Sequence, residues 1–217
     1  MSRARRVTLP VTALGGLVTL ALAWGLLAVT ATAADNDSAG GTATNARAIF
    51  AGGCFWCMEA DFEKLDGVHE AVSGYAGGYT QNPTYKSTSR GNTGHAEVVE
   101  IHYDPTAISY EALLAHFWKN VDPTTPNRQF CDSGSQYRAA LMPRTEAERT
   151  AAAASLQRVK DSGRFDTVAV TLEEPGTFWR AEEYHQDYYK KNPIRYRWYR
   201  SGCGRDQRLT ELWGDPN

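Results

Sequence analysis

The hydrophobic and polar positions of the chain alternate with two periods, one typical of strands and one typical of helices. An apolar run at residues 48–51 precedes two glycines, which predicts a buried strand that ends in a tight turn. Over residues 54–65, apolar side chains recur every three or four positions, which predicts a helix directly after this strand. We therefore expect Cys54 at the N-terminus of that helix.

Predicted strands and helices interleave along the rest of the chain. The patterns predict strands over residues 68–75, 96–103, 137–142 and 165–172, and helices over residues 113–121, 145–162 and 181–190. From about residue 194 neither period is visible, so we expect an irregular C-terminal tail. This order indicates an α/β or α+β fold rather than a helical bundle or a sandwich of two sheets.

One predicted strand carries a carboxylate on its apolar face. Within residues 96–103, Glu97 has the same parity as Val99 and Ile101, whereas Glu100 lies on the opposite side. Glu97 is therefore expected to share the side of the sheet that packs against apolar residues.

The N-terminal residues differ in composition from the rest of the chain. Three arginines among the first six residues precede an apolar run at residues 11–29, which ends in the cleavage pattern Ala31-Thr32-Ala33. We predict a signal peptide at residues 1–33, a flexible linker at 34–46 and a folded domain at 47–217. The expected location is periplasmic or secreted; because the apolar run is long, an uncleaved membrane anchor is the alternative.

Charge and length narrow the functional classes. The formal net charge is −2 and the folded region has no basic cluster, which argues against a nucleic-acid partner. A chain of 217 residues suffices for one domain with a sizeable core, and we expect a monomer.

The chain has four cysteines, Cys54, Cys57, Cys131 and Cys203. In an oxidising compartment the default interpretation is two structural disulfides, but a domain of this size does not need them for stability. A thiol at a helix N-terminus gains from the helix dipole and from free N–H groups, which favour the thiolate. A redox role is therefore at least as well supported as a structural one.

The Cys54-x-x-Cys57 pair allows three interpretations. Structural zinc needs four ligands and the sequence has no second paired motif, so no metal is expected. The triplet His95-Ala96-Glu97 matches part of a zinc deaminase signature, but it follows the cysteine pair instead of preceding it. A thioredoxin-like dithiol site, with its strand, C-x-x-C and helix, stays open. The adjacent Phe55 and Trp56 are, from local sequence alone, more often core residues than a substrate surface.

The sequence GCFW at residues 53–56 resembles the active-site signature of the A-type peptide methionine sulfoxide reductases. The resemblance extends over about residues 48–214. Its other motifs are SGYAGG (73–78), NPTY (82–85), TGHAEVVEI (93–101), FCDSGSQYR (130–138) and EEYHQDY (182–188). The fold it implies is a two-layer α/β sandwich, a mixed sheet with helices on its outer side.

The resemblance also implies a reaction. Cys54 would attack the sulfur of methionine S-sulfoxide, free or peptide-bound, while Phe55 and Trp56 hold the substrate methyl group. Glu97 would protonate the sulfoxide oxygen, since a carboxyl on an apolar face keeps its proton at neutral pH.

Further roles follow from the same resemblance. Tyr85 and Tyr137 match the tyrosines that bind the sulfoxide oxygen, and Asp132 matches a residue that orients the site. His185 is expected to be structural support near the site. The resemblance implies no cofactor, with electrons supplied by a thioredoxin-like protein or a small dithiol.

The sulfenic acid left on Cys54 needs a second thiol to form a disulfide. We favour Cys203, because its flanking glycines allow movement, over Cys57, which lies one helical turn from Cys54 where many family members have glycine. Cys131 is expected to be an unpaired, semi-buried thiol.

A rival hypothesis from another class is a binding module that holds oxidised or methylated groups in an aromatic cage. Such a module would keep Trp56 and the tyrosines but would not need Cys54 or Glu97. Thiol-dependent turnover separates the two.

Overall fold

The computed structural model describes residues 45–214. The predicted signal peptide and almost all of the predicted linker lie outside this range. Eight strands are β1 (Ala46–Gly52), β2 (Val68–Ala76), β3 (Ala96–Tyr103), β4 (Arg128–Gln129), β5 (Asp132–Ser133), β6 (Ala139–Met142), β7 (Thr171–Leu172) and β8 (Trp179–Arg180).

Seven α-helices and two short 3₁₀ turns connect the described strands. The helices are α1 (Phe55–Phe62), α2 (Tyr85–Thr88), α3 (Tyr110–Lys119), α4 (Glu146–Asp161), α5 (Tyr188–Lys191), α6 (Pro193–Gly202) and α7 (Arg205–Trp213). The 3₁₀ turns are Ser135–Tyr137 and Glu183–His185.

Six strands form one sheet in the order β7-β6-β1-β3-β2-β8. The pair β6 and β7 is parallel, and the other neighbours are antiparallel, so the sheet is mixed. The strands β4 and β5 form a separate hairpin. The predicted mixed α/β architecture is confirmed.

The larger core lies between the sheet and the helices. Phe50 of β1 stacks on Phe62 of α1 and Phe117 of α3, with ring centroids 5.2 and 5.5 Å apart. Residues of opposite parity, such as Ile49 and Val98, form a smaller core on the other face of the sheet. The alternation along β1 and β3 thus assigns each side chain to one of two apolar layers.

Helix α1 is covered on two sides. Its residues Phe55 and Met58 face the sheet, whereas Cys54, which precedes the helix, and Cys57 pack against the C-terminal helices. Tyr188 and Tyr196 supply the apolar surface on this second side. The turn that carries Cys54 is therefore enclosed between the sheet and the C-terminal helices.

The expectation of an irregular C-terminal tail is wrong. The segment forms α6, which begins with Pro193 at its first position, and α7, which follows a left-handed Gly204 with φ of 65°. Proline suits the first turn of a helix because its missing N–H has no partner there anyway. These helices bury few apolar residues, chiefly Tyr196, Leu209 and Leu212, so their hydrophobic period is weak in the sequence.

Other element predictions need smaller corrections. The strand expected at residues 165–172 is reduced to β7 at its end, and the helix expected at 181–190 is a 3₁₀ turn followed by α5. Asp187 separates these two turns because its backbone is left-handed, with φ of 52°. Within residues 45–214, the structure contains no apolar helix of sufficient length to cross a bilayer.

Candidate active site

A small cavity of about 50 Å³ opens where β1 ends and α1 begins. It contains all seven residues that the sequence analysis assigned to catalysis and substrate binding, together with one that it missed, Tyr199. The lining residues are Cys54, Phe55, Trp56, Tyr85, Glu97, Asp132, Tyr137 and Tyr199.

The turn between β1 and α1 places the Cys54 thiol in this cavity. Gly53 has φ of 82°, and a Cβ at this residue would lie 2.4 Å from Cβ of Gln129, so both the conformation and the space require glycine. Cys54 is the residue immediately before the first turn of α1 and is 6 % exposed. Its side chain is thus held at the helix N-terminus, as predicted.

Glu97 lies on the helix-facing side of β3, in agreement with the parity argument, and is 2 % exposed. The backbone N–H of Phe55, the first residue of α1, donates a hydrogen bond of 3.2 Å to Oε2 of Glu97. Burial raises the pKa of this carboxyl to about 8, outweighing the hydrogen bond, which favours the charged form. Glu97 therefore carries a proton at neutral pH.

Two tyrosine hydroxyls face the same cavity. Tyr85 begins α2. Its backbone N–H donates a hydrogen bond of 2.8 Å to a carboxylate oxygen of Glu182, and this bond anchors the helix. Tyr137 ends the first 3₁₀ turn. Burial raises the pKa of both phenols, so each keeps its proton and can donate a hydrogen bond to an oxygen in the cavity.

Asp132 lines the cavity and is hydrogen-bonded to Tyr199. The Tyr199 hydroxyl donates a hydrogen bond to Oδ2 of Asp132, and Tyr199 also hydrogen-bonds the Cys54 thiol. Burial raises the pKa of Asp132, although the bond from Tyr199 acts in the opposite direction. Tyr199 escaped the sequence analysis because α6 was taken as irregular; Pro193 followed by tyrosines three residues apart was the available signal.

An aromatic cluster holds the wall beside Cys54. The indole N–H of Trp56 donates a hydrogen bond of 3.0 Å to Nδ1 of His185. The Trp56 ring stacks on Tyr188, with ring centroids 3.7 Å apart. The His185 ring also lies against Phe55 and Tyr85, with centroids 4.9 and 4.6 Å away. His185 therefore fixes the orientation of residues that line the cavity, without lining it.

Cys57 lies one turn along α1, beside Cys54, and is 2 % exposed. Burial, together with a hydrogen bond to Cys57, raises the pKa of the Cys54 thiol. The same hydrogen bond, and then the charges of Arg205 and Arg200, lower the pKa of Cys57 to about 7. In the pair, the proton thus resides on Cys54 and the negative charge is favoured on Cys57.

A buried ionic cluster supplies this positive charge. Nη1 of Arg200 donates hydrogen bonds of 3.0 and 2.8 Å to the two carboxylate oxygens of Asp61, and Nε of Arg205 lies 3.8 Å from the same carboxylate. The guanidinium of Arg205 also donates a hydrogen bond of 2.6 Å to the backbone carbonyl oxygen of Asn120. Burial alone would raise the pKa of Asp61, but Arg205 and Arg200 lower it, so its charge is retained.

Cys131 and Cys203 form a disulfide, with Cα atoms 4.9 Å apart. The expectation that Cys131 is unpaired and semi-buried is wrong, because it lies in the exposed turn of the β4–β5 hairpin and reaches the end of α6. Cys54 and Cys57 are free thiols. The favoured partner of Cys54, Cys203, is therefore bonded elsewhere in this structure.

Comparison with known proteins shows the family of the chain. The model of a family described as "Peptide methionine sulfoxide reductase" matches residues 46–217. The chain is 46% identical over 168 residues to the peptide methionine sulfoxide reductase MsrA of Bacillus subtilis, covering 77% of this chain and 95% of that protein. It is 47% identical over 169 residues to MsrA/MsrB of Vibrio cholerae, with the same coverage of this chain but only 45% of that longer protein.

Solved structures give the same result. Mxr1 of Saccharomyces cerevisiae, in its reduced form, is similar with a TM-score of 0.66 and 32% identity, covering 71% of this chain and 89% of that one. Methionine sulfoxide reductase A of Corynebacterium diphtheriae has a TM-score of 0.62 and 32% identity, covering 71% of this chain and 78% of that one.

Replacing Arg205 should raise the pKa of Cys57. In Arg205→Met, which keeps the length of the side chain but removes its charge, we expect the thiolate titration near pH 7 to move upward by about one unit, the scale of losing a nearby opposite charge. Ultraviolet thiolate absorbance measures it. Arg197→Met, at an exposed arginine of α6, is the matched control and should leave the titration in place. An unchanged midpoint in Arg205→Met would contradict the assigned influence of this charge.

Proposed function

Since the chain belongs to the peptide methionine sulfoxide reductase family, we propose that it reduces methionine S-sulfoxide, free or in peptides, to methionine with electrons from thiols. The observation that carries the proposal is the buried Glu97 carboxyl, which accepts a hydrogen bond from the first N–H of the helix that presents Cys54. A nucleophile and an acid thus meet in one cavity.

In the proposed first step, the Cys57 thiolate takes the proton of Cys54, and the Cys54 thiolate so formed attacks the sulfoxide sulfur, which forms an S–S bond as the S–O bond breaks. Glu97 transfers its proton to the oxygen, which leaves as hydroxide and adds to the Cys54 sulfur, while the S–S bond breaks and its electron pair returns to the methionine sulfur. The products are methionine and a sulfenic acid on Cys54, with Glu97 ionised and Cys57 protonated. Without this proton the oxygen would leave with an uncompensated negative charge. General acid catalysis of this kind contributes about 10²- to 10⁴-fold.

The tyrosines support the same step. The hydroxyls of Tyr85 and Tyr137 stay protonated because burial raises both pKa values. They are suited to donate hydrogen bonds to the sulfoxide oxygen as it gains negative charge, in the manner of an oxyanion hole. Phe55 and Trp56 provide an apolar surface for the methyl group, and Asp132 orients Tyr199 beside Cys54.

For the second step we propose Cys57 as the resolving thiol, which was the alternative in the sequence analysis. Its pKa of about 7 makes it the better thiolate of the pair, and it already hydrogen-bonds Cys54. Cys57 gives its proton to the sulfenic hydroxyl and attacks the sulfenic sulfur, the hydroxyl leaves as water, and a Cys54–Cys57 disulfide results. Cys203 is less suited to this step because its sulfur is bonded to Cys131.

We further propose that the reductant is a thioredoxin-like protein or a small dithiol and that the reaction uses no prosthetic group. The chemistry described above requires only thiols, a carboxylic acid and hydroxyls.

We also propose export, with residues 1–33 as a cleaved signal, on the basis of the arginines, the apolar run and the Ala31-Thr32-Ala33 pattern. An exposed disulfide is consistent with an oxidising compartment.

We expect the enzyme to reduce only the S epimer. In the proposed binding mode the methyl group lies against Phe55 and Trp56 and the oxygen lies against Glu97, so the R epimer would direct its oxygen away from Glu97. Turnover of each resolved epimer with dithiothreitol measures this, and Cys54→Ser is the control that should abolish it. Equal rates with both epimers would refute the assigned geometry.

Glu97→Gln should lower the rate of methionine formation in a single turnover by about 10²-fold or more. The wild-type rate should also fall as the pH rises through about 8, because Glu97 then loses its proton. Glutamine cannot transfer a proton, so the variant should lack this decline and retain only the rise caused by ionisation of the Cys54–Cys57 pair. A variant with the wild-type rate and pH profile would exclude Glu97 as the acid.

Full-length protein expressed in a bacterial host should yield a mature chain that begins at Ala34. N-terminal sequencing of the periplasmic and extracellular fractions tests this. Ala33→Trp should block cleavage, because the pocket of the processing enzyme requires a small residue, whereas Thr32→Val is a matched control at the unconstrained middle position. Recovery of an unprocessed chain in the cytoplasm would contradict export.

A further inference from the structure

Sulfur and oxygen donors converge at the surface, where the β4–β5 hairpin meets the end of α6. Sγ of Cys131, Sγ of Cys203 and a carboxylate oxygen of Asp132 all lie within 4.8 Å of one another. Cys131 is exposed and the other two residues are half-buried, so the cluster is open to solvent. No spacing motif marks this set, because 72 residues separate the two cysteines and only the fold brings them together.

The two carboxylate oxygens of Asp132 face different neighbours. Oδ2 accepts a hydrogen bond from the hydroxyl of Tyr199, whereas Oδ1 lies 3.8 Å from Sγ of Cys131. Hydrogen bonds of the first kind orient carboxylates that bind metals in proteins. Tyr199 thus holds Asp132 from the inside, and the other oxygen stays directed toward the sulfurs.

Reduction turns the two sulfurs into metal ligands, because metals bind the thiolate and not the disulfide. Tetrahedral Zn²⁺ with Zn–S bonds of about 2.3 Å places two sulfurs about 3.8 Å apart. The Cα atoms of Cys131 and Cys203 are 4.9 Å apart, so rotation about the two Cα–Cβ bonds can open the sulfurs to this separation. Gly202 and Gly204 flank Cys203, and a Cβ at either glycine would meet nothing within 4 Å among the described residues.

The other such group among residues 45–214 consists of carboxylates, namely Glu59, Glu63 and Asp187. A cation already lies within it, since Nζ of Lys190 is 2.6 Å from Glu63 and 2.8 Å from Asp187. The cluster around Cys131 has no such ammonium group among the ion pairs of the described residues. It is therefore the better candidate for a metal ion.

We propose that reduction of the Cys131–Cys203 disulfide creates a Zn²⁺ site, with both thiolates and Asp132 as ligands and water in the fourth position. Two thiolates and one carboxylate suit Zn²⁺, whereas Mg²⁺ and Ca²⁺ prefer oxygen ligands alone. Three protein ligands with one open position at the surface leave room for the water. The inference concerns metal binding and does not depend on the proposed function.

Binding moves protons but no electrons. The two thiols release their protons to solvent, two Zn–S bonds and one Zn–O bond form, and the metal stays Zn²⁺ while it loses waters of hydration. Oxidation of the thiolates to the disulfide removes two ligands and releases the ion. The metal would thus keep the hairpin joined to α6 in the reduced protein, in place of the covalent bond.

The first test compares the two redox states of the same untagged chain. Protein reduced with a phosphine, which is then removed by gel filtration under argon, is titrated with Zn²⁺ in a calorimeter. We expect one Zn²⁺ per chain and, from buffers of different ionisation enthalpy, about two protons released. The oxidised protein is the matched control and should not bind Zn²⁺ at this site. Equal binding by both states would overturn the proposal.

The second test identifies the ligands with Co²⁺, whose thiolate charge-transfer band grows with the number of bound sulfurs. At saturation, Cys131→Ser and Cys203→Ser should each show half of the wild-type intensity, while Cys57→Ser should show all of it. Far-ultraviolet circular dichroism establishes that each variant is folded. Full intensity in Cys131→Ser/Cys203→Ser, or its loss in Cys57→Ser, would assign the metal to the inner thiols and overturn the site.

The third test concerns the carboxylate. Asp132→Asn should weaken Zn²⁺ binding by the reduced protein by more than about tenfold, the lower end of the loss caused by removing even an outer partner of a ligand. Asp161→Asn, at an exposed carboxylate that ends α4, is the matched control and should bind as the wild type does. Unchanged affinity in Asp132→Asn would contradict the assigned ligand set.

Discussion

The burial of α1 on two sides is the constraint on which the site depends. The helix is only two turns long, yet one side packs on the sheet through Phe55 and Met58 and the other packs on the C-terminal helices. A helix this short has little stability of its own and takes its position from its neighbours. Because Cys54 immediately precedes it and its first N–H contacts Glu97, the catalytic geometry is set by the packing of the whole domain.

Burial acts differently on the acids of the site because their neighbours differ. Asp61 has two arginine side chains beside it and keeps its charge, whereas Glu97 is acted on by the negative groups Asp132 and Cys57 and keeps its proton. The first carboxylate holds the arginines that lower the pKa of Cys57, and the second keeps the proton that the proposed mechanism uses. The two carboxyls are equally buried, but Asp61 of α1 is charged and Glu97 of β3 is protonated.

The sequence was informative where a residue's environment follows from its local period. Glu97 could be assigned to the apolar side because it shares the parity of Val99 and Ile101, although the structure buries both faces of β3. The helix after Gly53 could be predicted for the same reason. By contrast, α6 and α7 bury few apolar residues, so Tyr199 and Arg205 gave no periodic signal. The Cys131–Cys203 disulfide joins a hairpin turn to a helix end, and only the packing of the two segments brings these residues together.

The small volume of the catalytic cavity has a consequence for the choice of substrate. About 50 Å³ accommodates the methyl group and the sulfoxide but not the main chain of the residue that carries them. On the proposed function, an oxidised methionine must therefore project from its own protein to be repaired. Residues in the interior of a folded substrate become available only during its local opening, so the rate of their repair follows the conformational fluctuations of the damaged protein and not the abundance of damage alone.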